Sequence, residues 1–448
     1  MKYYSLKNES VIVTFGEALL AGLAPDGGLW MPRGLPQFTP RETARLGAMC
    51  FADCAACLAR FFVDTPFTDA DLKRICHDAY DYPVPMRTFD GYHLDSATPE
   101  VAGAFVLELF HGPTLAFKDF AARFMARSAS RLMQNSDETR TILVATSGDT
   151  GGAIGEAFLN QAGIEVYILF PQGGVSKVQR QQLTTIGNGL SNVHALSVAG
   201  TFDDCQQMVK DAFADDRLMK KHKLMSANSI NVGRVVPQSF YYFWTSLQAK
   251  AAYVERDIVY AVPSGNLGNL TGGLMAWKMG APIDHFVIGN NINDPFVEYL
   301  NTGKYRPRDA VPTLSNAMDI GRPNNFPRIM ELFDGNFEAL KKVCWGASFP
   351  DEETERHLRR IHTETGYVMC PHTAVGHLAM EAFKAEFGET FTGITVGTAH
   401  PAKFADRVEP ILGQDIPMPN TLKNTVDRTP CFVEIAPDLD DLAEILAS

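Results

Sequence analysis

The fold is decided by the stretch Ile258-Val-Tyr-Ala-Val-Pro-Ser-Gly-Asn-Leu-Gly-Asn-Leu-Thr-Gly-Gly273. Its apolar beginning predicts a strand that is buried on both faces. A turn, Ser264-Gly-Asn-Leu-Gly-Asn269, follows the strand and leads into a helix. Because a helix N-terminus presents free backbone N–H groups and the positive end of the helix dipole, this turn suits an anion such as a phosphate. A tight strand-to-helix turn without a ligand is the alternative.

Residues 258–277 carry no charged side chain, and their number would suit a membrane span. Glycine and asparagine fill the middle of the stretch, however, and in lipid they would leave the backbone without hydrogen bonds. The whole chain of 448 residues has a formal net charge of −12, which argues against a nucleic-acid partner. The N-terminal residues show no secretory signal, and the eight cysteines are thinly spread, so a cytoplasmic location is expected.

The chain beyond about Val101 alternates short β-branched runs with helical segments, which is typical of parallel α/β sheets. One strand–helix–strand unit is predicted at residues 141–145, 153–161 and 165–170. Parallel sheets bind ligands beyond the carboxyl ends of their strands, so the site is expected at the turns that leave them.

The part of the chain before about Val101 shows helical patterns without alternating strands. Helices are predicted there at residues 14–23, 43–62 and 69–80. Proline-spaced stretches predict surface loops at residues 306–327 and 417–430.

A lysine stands between two aromatic residues in His111-Gly-Pro-Thr-Leu-Ala-Phe-Lys-Asp-Phe120. Such surroundings disfavour the charged form of Lys118 and make its amine available to an aldehyde as a Schiff-base nucleophile. A solvated helix face is the alternative. The chain has no G-x-x-x-x-G-K-[ST] pattern, and its glycine turns lack G-x-G-x-x-G spacing, so a nucleotide is not predicted. A lysine and a phosphate-binding turn together suggest pyridoxal 5'-phosphate.

Three cysteines, Cys50, Cys54 and Cys57, have the C-x3-C-x2-C spacing of the iron–sulfur motif of radical SAM enzymes. Residues 48–62 also fit one continuous apolar helix, on which the three thiols would share a buried face. The helical interpretation is favoured, and no metal site is predicted.

Several longer segments occur in an order known from one family: Leu23-Ala-Pro-Asp-Gly-Gly-Leu-Trp-Met-Pro32, His111 to Phe120, Thr146-Ser-Gly-Asp-Thr-Gly151, Ser226-Ala-Asn-Ser-Ile-Asn-Val-Gly-Arg234, Pro263 to Asn269, Pro371-His-Thr-Ala-Val-Gly376 and Thr398-Ala-His-Pro-Ala-Lys-Phe404. On these segments the chain resembles the threonine synthases, which share a fold with tryptophan synthase β, cysteine synthase and threonine dehydratase.

The resemblance implies an α/β protein with two open, mainly parallel sheet domains of the tryptophan synthase β type and an N-terminal helical unit. The expected division gives residues 1–95 to the helical unit, 141–214 to a small domain, and 96–140 with 215–448 to a large cofactor-binding domain. The implied activity is that of a pyridoxal-phosphate-dependent lyase, which converts O-phospho-L-homoserine and water to L-threonine and phosphate. A monomer or homodimer without membrane or nucleic-acid partners is expected.

The resemblance also implies a role for each site residue. Lys118 is the expected catalytic residue and carries the cofactor, and the other expected cofactor-binding residues are Asp149, Gly265, Asn266, Leu267, Gly268, Asn269 and Thr398. A carboxylate at Asp149 would have to share a proton with the cofactor's phenolic oxygen. The expected substrate-binding residues are Thr114, Ser147, Thr150, Ser229, Asn231 and Arg234. Structural roles are expected for His111, His372 and His400, and Cys370 stands where the family often has Asp.

Two other functions stay open at this point. The first is another enzyme of the same fold, such as threonine dehydratase or cysteine synthase, although Arg234 and the N-terminal unit argue against it. The second is a protein that binds the cofactor or a phosphate without catalysis, for which Lys118 would be dispensable.

Overall fold

The computed structural model describes residues 1–91, 104–134, 136–173, 175–388 and 390–447. The expected boundary between residues 95 and 96 lies outside these ranges. The strands in chain order are β1 (Lys2–Ser5), β2 (Asn8–Thr14), β3 (Trp30–Pro32), β4 (Met86–Thr88), β5 (Ala104–Glu108), β6 (Arg140–Ala145), β7 (Ile164–Pro171), β8 (Val193–Val198), β9 (Met225–Ser226), β10 (Ile258–Pro263), β11 (His285–Asn290), β12 (Cys344–Ser348), β13 (Thr392–Gly397) and β14 (Val433–Ile435).

The α-helices connect these strands or pack against them. In chain order they are α1 (Phe15–Ala21), α2 (Pro40–Gly47), α3 (Phe51–Phe62), α4 (Asp69–Ala79), α5 (Lys118–Met133), α6 (Asp149–Phe158), α7 (Lys177–Thr185), α8 (Phe202–Ala214), α9 (Asp216–His222), α10 (Val232–Val235), α11 (Gln238–Ala252), α12 (Gly268–Lys278), α13 (Pro295–Thr302), α14 (Phe326–Leu332), α15 (Phe337–Lys341), α16 (Asp351–Thr365), α17 (Pro371–Phe387), α18 (Ala405–Leu412), α19 (Asn420–Val426) and α20 (Leu439–Ala447).

The larger sheet has six strands in the order β12-β11-β10-β13-β5-β4, and only the pairing of the edge strand β4 with β5 is antiparallel. Every residue of β10 is buried, as the apolar run predicts for a strand with both faces covered. The chain leaves β10 through residues 264–267 and enters α12 at Gly268. Strand β5 leads in the same way to α5, whose first residue is Lys118.

The smaller sheet is parallel throughout, with the order β14-β8-β7-β6-β9. The predicted strand–helix–strand unit is confirmed as β6, α6 and β7, although α6 begins earlier than expected, at Asp149. Strand β14 pairs with β8, and α20 packs on α8. The C-terminal segment therefore lies on the smaller sheet, whereas the expected division assigned it to the large domain.

The N-terminal region contains the three-stranded antiparallel sheet β2-β1-β3 as well as helices. Helices α1 and α4 confirm two of the predicted helices. The third, over residues 43–62, is wrong as a single helix because Cys50 has extended backbone angles and separates α2 from α3. Helices α2 and α3 pack on α11, next to the larger sheet.

The two proline-spaced stretches are less exposed than predicted. Residues 306–327 include the fully buried Asn325 and the buried Met318, and they form a wall of the cavity described below. Residues 417–430 contain α19, whose Leu422 is fully buried. Among the described residues, no helix has the length and apolar character that crossing a membrane requires.

Candidate active site

A cavity of about 900 Å³ lies beyond the carboxyl ends of β6 and β10, one strand from each parallel sheet. The start of α5, the turns after the two strands and residues 310–320 line it. Both predicted glycine turns therefore face one space, which is the arrangement expected of a ligand site in a parallel α/β protein.

Lys118 is half-buried and lines this cavity at the first position of α5. Its Nζ atom lies 5.5 Å from the centre of the Phe117 ring. Burial lowers the pKa of Lys118, while the carboxylate of Asp149 acts in the opposite direction. The surroundings of Lys118 therefore favour its neutral amine, as its aromatic neighbours predict.

Residues 264–269, here called the glycine turn, connect β10 to α12 with Leu267 in the left-handed conformation at φ 62°. Within the described part of the chain, the backbone N–H groups of Gly265 to Asn269 donate to no acceptor. The side-chain nitrogen of Asn269 is also buried without a partner, while its oxygen accepts hydrogen bonds from Tyr241 and Tyr242. These free donors at a helix N-terminus suit a phosphate.

The turn after β6 places Ser147, Asp149 and Thr150 in the cavity wall. The hydroxyl of Thr146 shapes this turn, because it accepts hydrogen bonds from the backbone N–H groups of Gly148 and Gly151, both at 2.9 Å. The hydroxyls of Ser147 and Thr150 are therefore held on a fixed backbone.

Asp149 is buried and pairs with Lys403, whose Nζ lies 2.8 Å from its Oδ1. Gln179 donates a further hydrogen bond to the same oxygen at 2.8 Å. Burial alone would raise the pKa of Asp149, but the charges of Lys403 and Lys118 hold it below its ordinary value. The contact with Lys403 favours the ionised form of Asp149, and the sharing of a proton with the cofactor's phenolic oxygen stays a prediction.

Thr398 lies in the cavity wall at the carboxyl end of β13. The thiol of Cys370 is 3.8 Å from its hydroxyl and 3.2 Å from that of Thr373. Cys370 is thus a buried polar neighbour of Thr398 at the start of α17.

Arg234 is buried in the cavity wall, and no described carboxylate lies within 4 Å of it. One nitrogen donates to the carbonyl oxygen of Ala227 at 2.5 Å, but its Nε has no partner. Burial lowers the pKa of Arg234 to about 10, so it remains charged at neutral pH. The hydroxyl of Ser229 in the same wall also lacks a partner. The unpaired donors of Arg234 and Ser229 indicate a binding site for an anionic ligand, because buried donors without a partner are unfavourable.

Two of the expected substrate-binding residues do not line the cavity. The Thr114 hydroxyl donates to Asp119 at 2.5 Å. The Asn231 side chain caps α10 and donates to the carbonyl oxygens of Leu19 and Ser226. Because hydrogen bonds within the protein occupy both side chains, the structure gives them positioning roles.

The three histidines differ in placement. His372 lines the cavity, where its Nε2 accepts a hydrogen bond from the backbone of Ala317 and burial lowers its pKa to about 4. His111 pairs with Glu108, and His400 accepts a backbone hydrogen bond from Ala402, both outside the cavity wall.

The structure does not bring the three cysteines of the motif together. Cys50 is exposed at the N-terminus of α3, Cys54 is buried and Cys57 is half-buried. The three thiols of this described helix are not grouped within 4.8 Å of one another, as a shared cluster would require. The expectation that all three share a buried face is wrong, because the helix begins after Cys50.

The sequence did not reveal residues 310–320 of the cavity wall, nor Lys403 and Gln179, which contact the wall residue Asp149. Lys403 belongs to one of the segments on which the family resemblance is based. Its position within the otherwise apolar run Pro401 to Phe404 could have indicated a buried lysine. Residues 310–320 gave no such signal.

The cavity fits pyridoxal phosphate. Lys118 offers an amine to its aldehyde, and the glycine turn offers free N–H groups to its phosphate. The buried, unpartnered nitrogen of Asn269 adds a further phosphate donor.

Three family models match the chain. A pyridoxal-phosphate-dependent enzyme model matches residues 94–396, a threonine synthase N-terminus model matches residues 2–80, and a threonine synthase C-terminal model matches residues 373–446. Two of the three are specific to one activity.

Individual proteins agree with the models. A threonine synthase of Buchnera aphidicola is 38% identical over 446 residues, covering 100% of this chain and 99% of its own. The crystal structure of Escherichia coli threonine synthase has a TM-score of 0.89 at 36% identity, covering 100% and 99% of the two chains. A threonine synthase of Brucella melitensis with bound pyridoxal phosphate has a TM-score of 0.90 at 34% identity, covering 100% and 98%.

Proposed function

The chain belongs to the threonine synthase family, and we propose a role for each of its site residues in the reaction of that family. The activity is that of a pyridoxal-phosphate-dependent lyase that converts O-phospho-L-homoserine and water to L-threonine and phosphate, the final step of threonine biosynthesis. The match of residues 2–80 to a threonine synthase model favours this function over threonine dehydratase or cysteine synthase.

Lys118, the glycine turn and Thr398 would hold the cofactor. The amine of Lys118 would hold its aldehyde carbon, the N–H groups of Gly265 to Asn269 its phosphate, and the Thr398 hydroxyl its ring nitrogen. When bound, pyridoxal phosphate supplies the electron sink that makes protons on the substrate carbons removable. The observation that carries this assignment is that Lys118 and the glycine turn line one cavity.

Lys118 would then serve as the base. Its lowered pKa raises the share of neutral amine near pH 7, which is the form that accepts a proton. We assign it the removal of protons from Cα and Cβ and the return of protons first to Cγ and finally to Cα. Phosphate leaves from Cγ, and water supplies the hydroxyl at Cβ.

Arg234 and Ser229 would bind the substrate phosphate, since both present a buried donor without a partner. A guanidinium forms charge-assisted hydrogen bonds with phosphate oxygens, and these are stronger than neutral ones. Ser147 and Thr150, across the cavity, would bind the substrate carboxylate. The net charge of −12 repels an anionic substrate, so this local positive charge must supply the attraction.

The pair of Asp149 and Lys403 would orient the cofactor's phenolic side. Lys403 also donates to the carbonyl oxygen of Thr114 at 2.6 Å, which fixes the turn before α5. The ionised Asp149 in turn counteracts the fall of the Lys118 pKa. The pair therefore influences the base without taking a proton itself.

Assays with three substrates test this function. The holoenzyme should release phosphate and threonine in equal amounts from O-phospho-L-homoserine. Turnover of O-acetylserine or threonine alone, with none of O-phospho-L-homoserine, would overturn it. We also propose a cytoplasmic location, in keeping with the eight free cysteines, and a monomer or homodimer, which light scattering tests.

A further inference from the structure

Arg328 lies in α14, and its side chain is fully buried. In the described ranges, no carboxylate lies within 4 Å of its guanidinium. Burial lowers the pKa of Arg328 to about 9, so it is still charged at neutral pH. A buried charge without a counterion costs several kcal/mol, which other interactions at this position must offset.

Five hydrogen bonds surround the guanidinium, and uncharged oxygens accept all of them. Nε and Nη2 donate to the carbonyl oxygen of Trp30 at 3.2 and 3.1 Å. Nη2 also donates to Ile230 at 2.7 Å, and Nη1 donates to the carbonyl oxygen of Ser229 at 3.1 Å and to Oδ1 of Asn325 at 2.6 Å. One side chain thus joins strand β3, the loop of residues 227–231 and the start of α14.

Asn325 continues this connection into the glycine turn. Its side-chain nitrogen donates to the carbonyl oxygen of Asn266 at 3.0 Å, and the backbone N–H of Asn324 donates to the Asn266 side chain at 2.8 Å. A Cβ atom on Gly268 would lie 3.5 Å from Asn325 and 3.6 Å from Ser229. The glycine turn and residues 227–231 therefore meet at this point.

Residues 227–231, here called the serine loop, carry Ser229 and accept the bond from Arg234 at Ala227. The glycine turn carries the free N–H groups. The serine loop and the glycine turn each carry donors for an anion. Arg328 bonds to the backbone of the serine loop directly, and it reaches the backbone of the glycine turn through Asn325. A lysine could not replace it, because only the planar fork of a guanidinium reaches so many acceptors at once.

We propose that Arg328 is a positioning residue that fixes the serine loop against the glycine turn, and so sets the distance between the two phosphate-binding groups of the site. This inference rests on the proposed function, since it assigns one phosphate to each segment. Through Trp30, the same residue makes the N-terminal sheet a support of the site.

The test compares Arg328→Lys with Trp244→Phe in the full-length enzyme. Trp244 is the matched control because its side chain also ties the N-terminal region to the rest of the chain, through a 2.9 Å bond to Met49, but does not line the cavity. For Arg328→Lys we expect the pyridoxal phosphate Kd, measured by fluorescence, and the KM for O-phospho-L-homoserine each to rise at least tenfold. For Trp244→Phe both should stay within twofold while the thermal midpoint falls.

Arg328→Lys with a lower thermal midpoint but an unchanged cofactor Kd and KM would overturn the proposal, because the residue would then be purely structural. Asn325→Ala is the second variant, should Arg328→Lys fail to fold. It keeps the guanidinium and removes two side-chain bonds, the one that Asn325 accepts from Arg328 and the one that it donates to Asn266, and its cofactor Kd should rise at least fivefold. If the wild-type enzyme does not turn over O-phospho-L-homoserine, the proposed function fails, whereas the cofactor Kd still reports on Arg328.

Discussion

The Nζ atom of Lys403 lies 2.8 Å from Oδ1 of Asp149, and both side chains are almost completely buried. Burying two charges is unfavourable unless each compensates the other. The pair therefore forms a unit at the cavity wall, where Asp149 lies, and removal of one partner leaves the other as an unpaired buried charge.

Asp149→Asn should destabilise the apoenzyme by about 3–5 kcal/mol, since Lys403 would lose its counterion. The double variant Asp149→Asn/Lys403→Met should recover most of that loss, because it removes both charges. Denaturant unfolding of the two single variants and the double variant measures the coupling. Additive losses in the double variant would contradict the buried pair.

Arg234→Gln should raise the KM for O-phospho-L-homoserine about 30- to 150-fold, as expected for the loss of about 2–3 kcal/mol of charge-assisted hydrogen bonding. Steady-state kinetics measures it, with the inhibition constant of inorganic phosphate as a second readout. Binding of L-threonine, which has no phosphate, is the control and should change little. An unchanged KM would place the substrate phosphate elsewhere.

Asp119 is buried beside Thr114, and burial raises its pKa to about 6, above the ordinary value of 3.8. The folded state favours the protonated form of Asp119. The contribution of this carboxyl group to the free energy of unfolding is therefore complete below about pH 3.8 and is lost as the pH rises through about 6. The loss amounts to about 3 kcal/mol.

Asp119→Asn stays neutral at every pH and should therefore gain stability over the wild type as the pH rises from about 4 to about 6. Thermal midpoints of the variant and the wild type, measured side by side across this range, test the trend. A pH-independent difference for Asp119→Asn would contradict the raised pKa.

Gly265→Ala should weaken cofactor binding at least tenfold. The added Cβ would lie 3.0 Å from the Cα of Met318 and 3.2 Å from the carbonyl oxygen of Ala317, so the wall of the cavity would have to move. Gly152→Ala in α6 is the matched control, because a Cβ there meets nothing within 4 Å. Equal cofactor Kd values for the two variants would contradict the tight fit of the glycine turn.

The sequence predicted the parts of the site that depend on local pattern. The apolar run of β10 followed by glycine and asparagine indicates a buried strand and an anion-binding turn, because both features follow from neighbouring residues. Lys118 was indicated by its two aromatic neighbours, whereas Arg234 was found through the family resemblance. Ser147 and Thr150 were found in the same way.

The remaining features depend on contacts between distant segments. Lys403 and Asp149 are far apart in sequence, so neither segment alone indicates the pair. Four of the five hydrogen bonds of Arg328 go to backbone carbonyl oxygens, which side-chain patterns do not report. Strand β2 was missed because it has no buried residue and so shows no clear alternation.

Lys118 is the proposed carrier of the cofactor, and chemical trapping of the bound aldehyde tests this assignment. The holoenzyme is reduced with borohydride, digested, and its peptides are identified by mass spectrometry. A pyridoxyl group on Lys118, absent from Lys118→Ala, is the predicted result. A pyridoxyl group on Lys403, which is buried against Asp149, or on any other lysine would contradict this assignment.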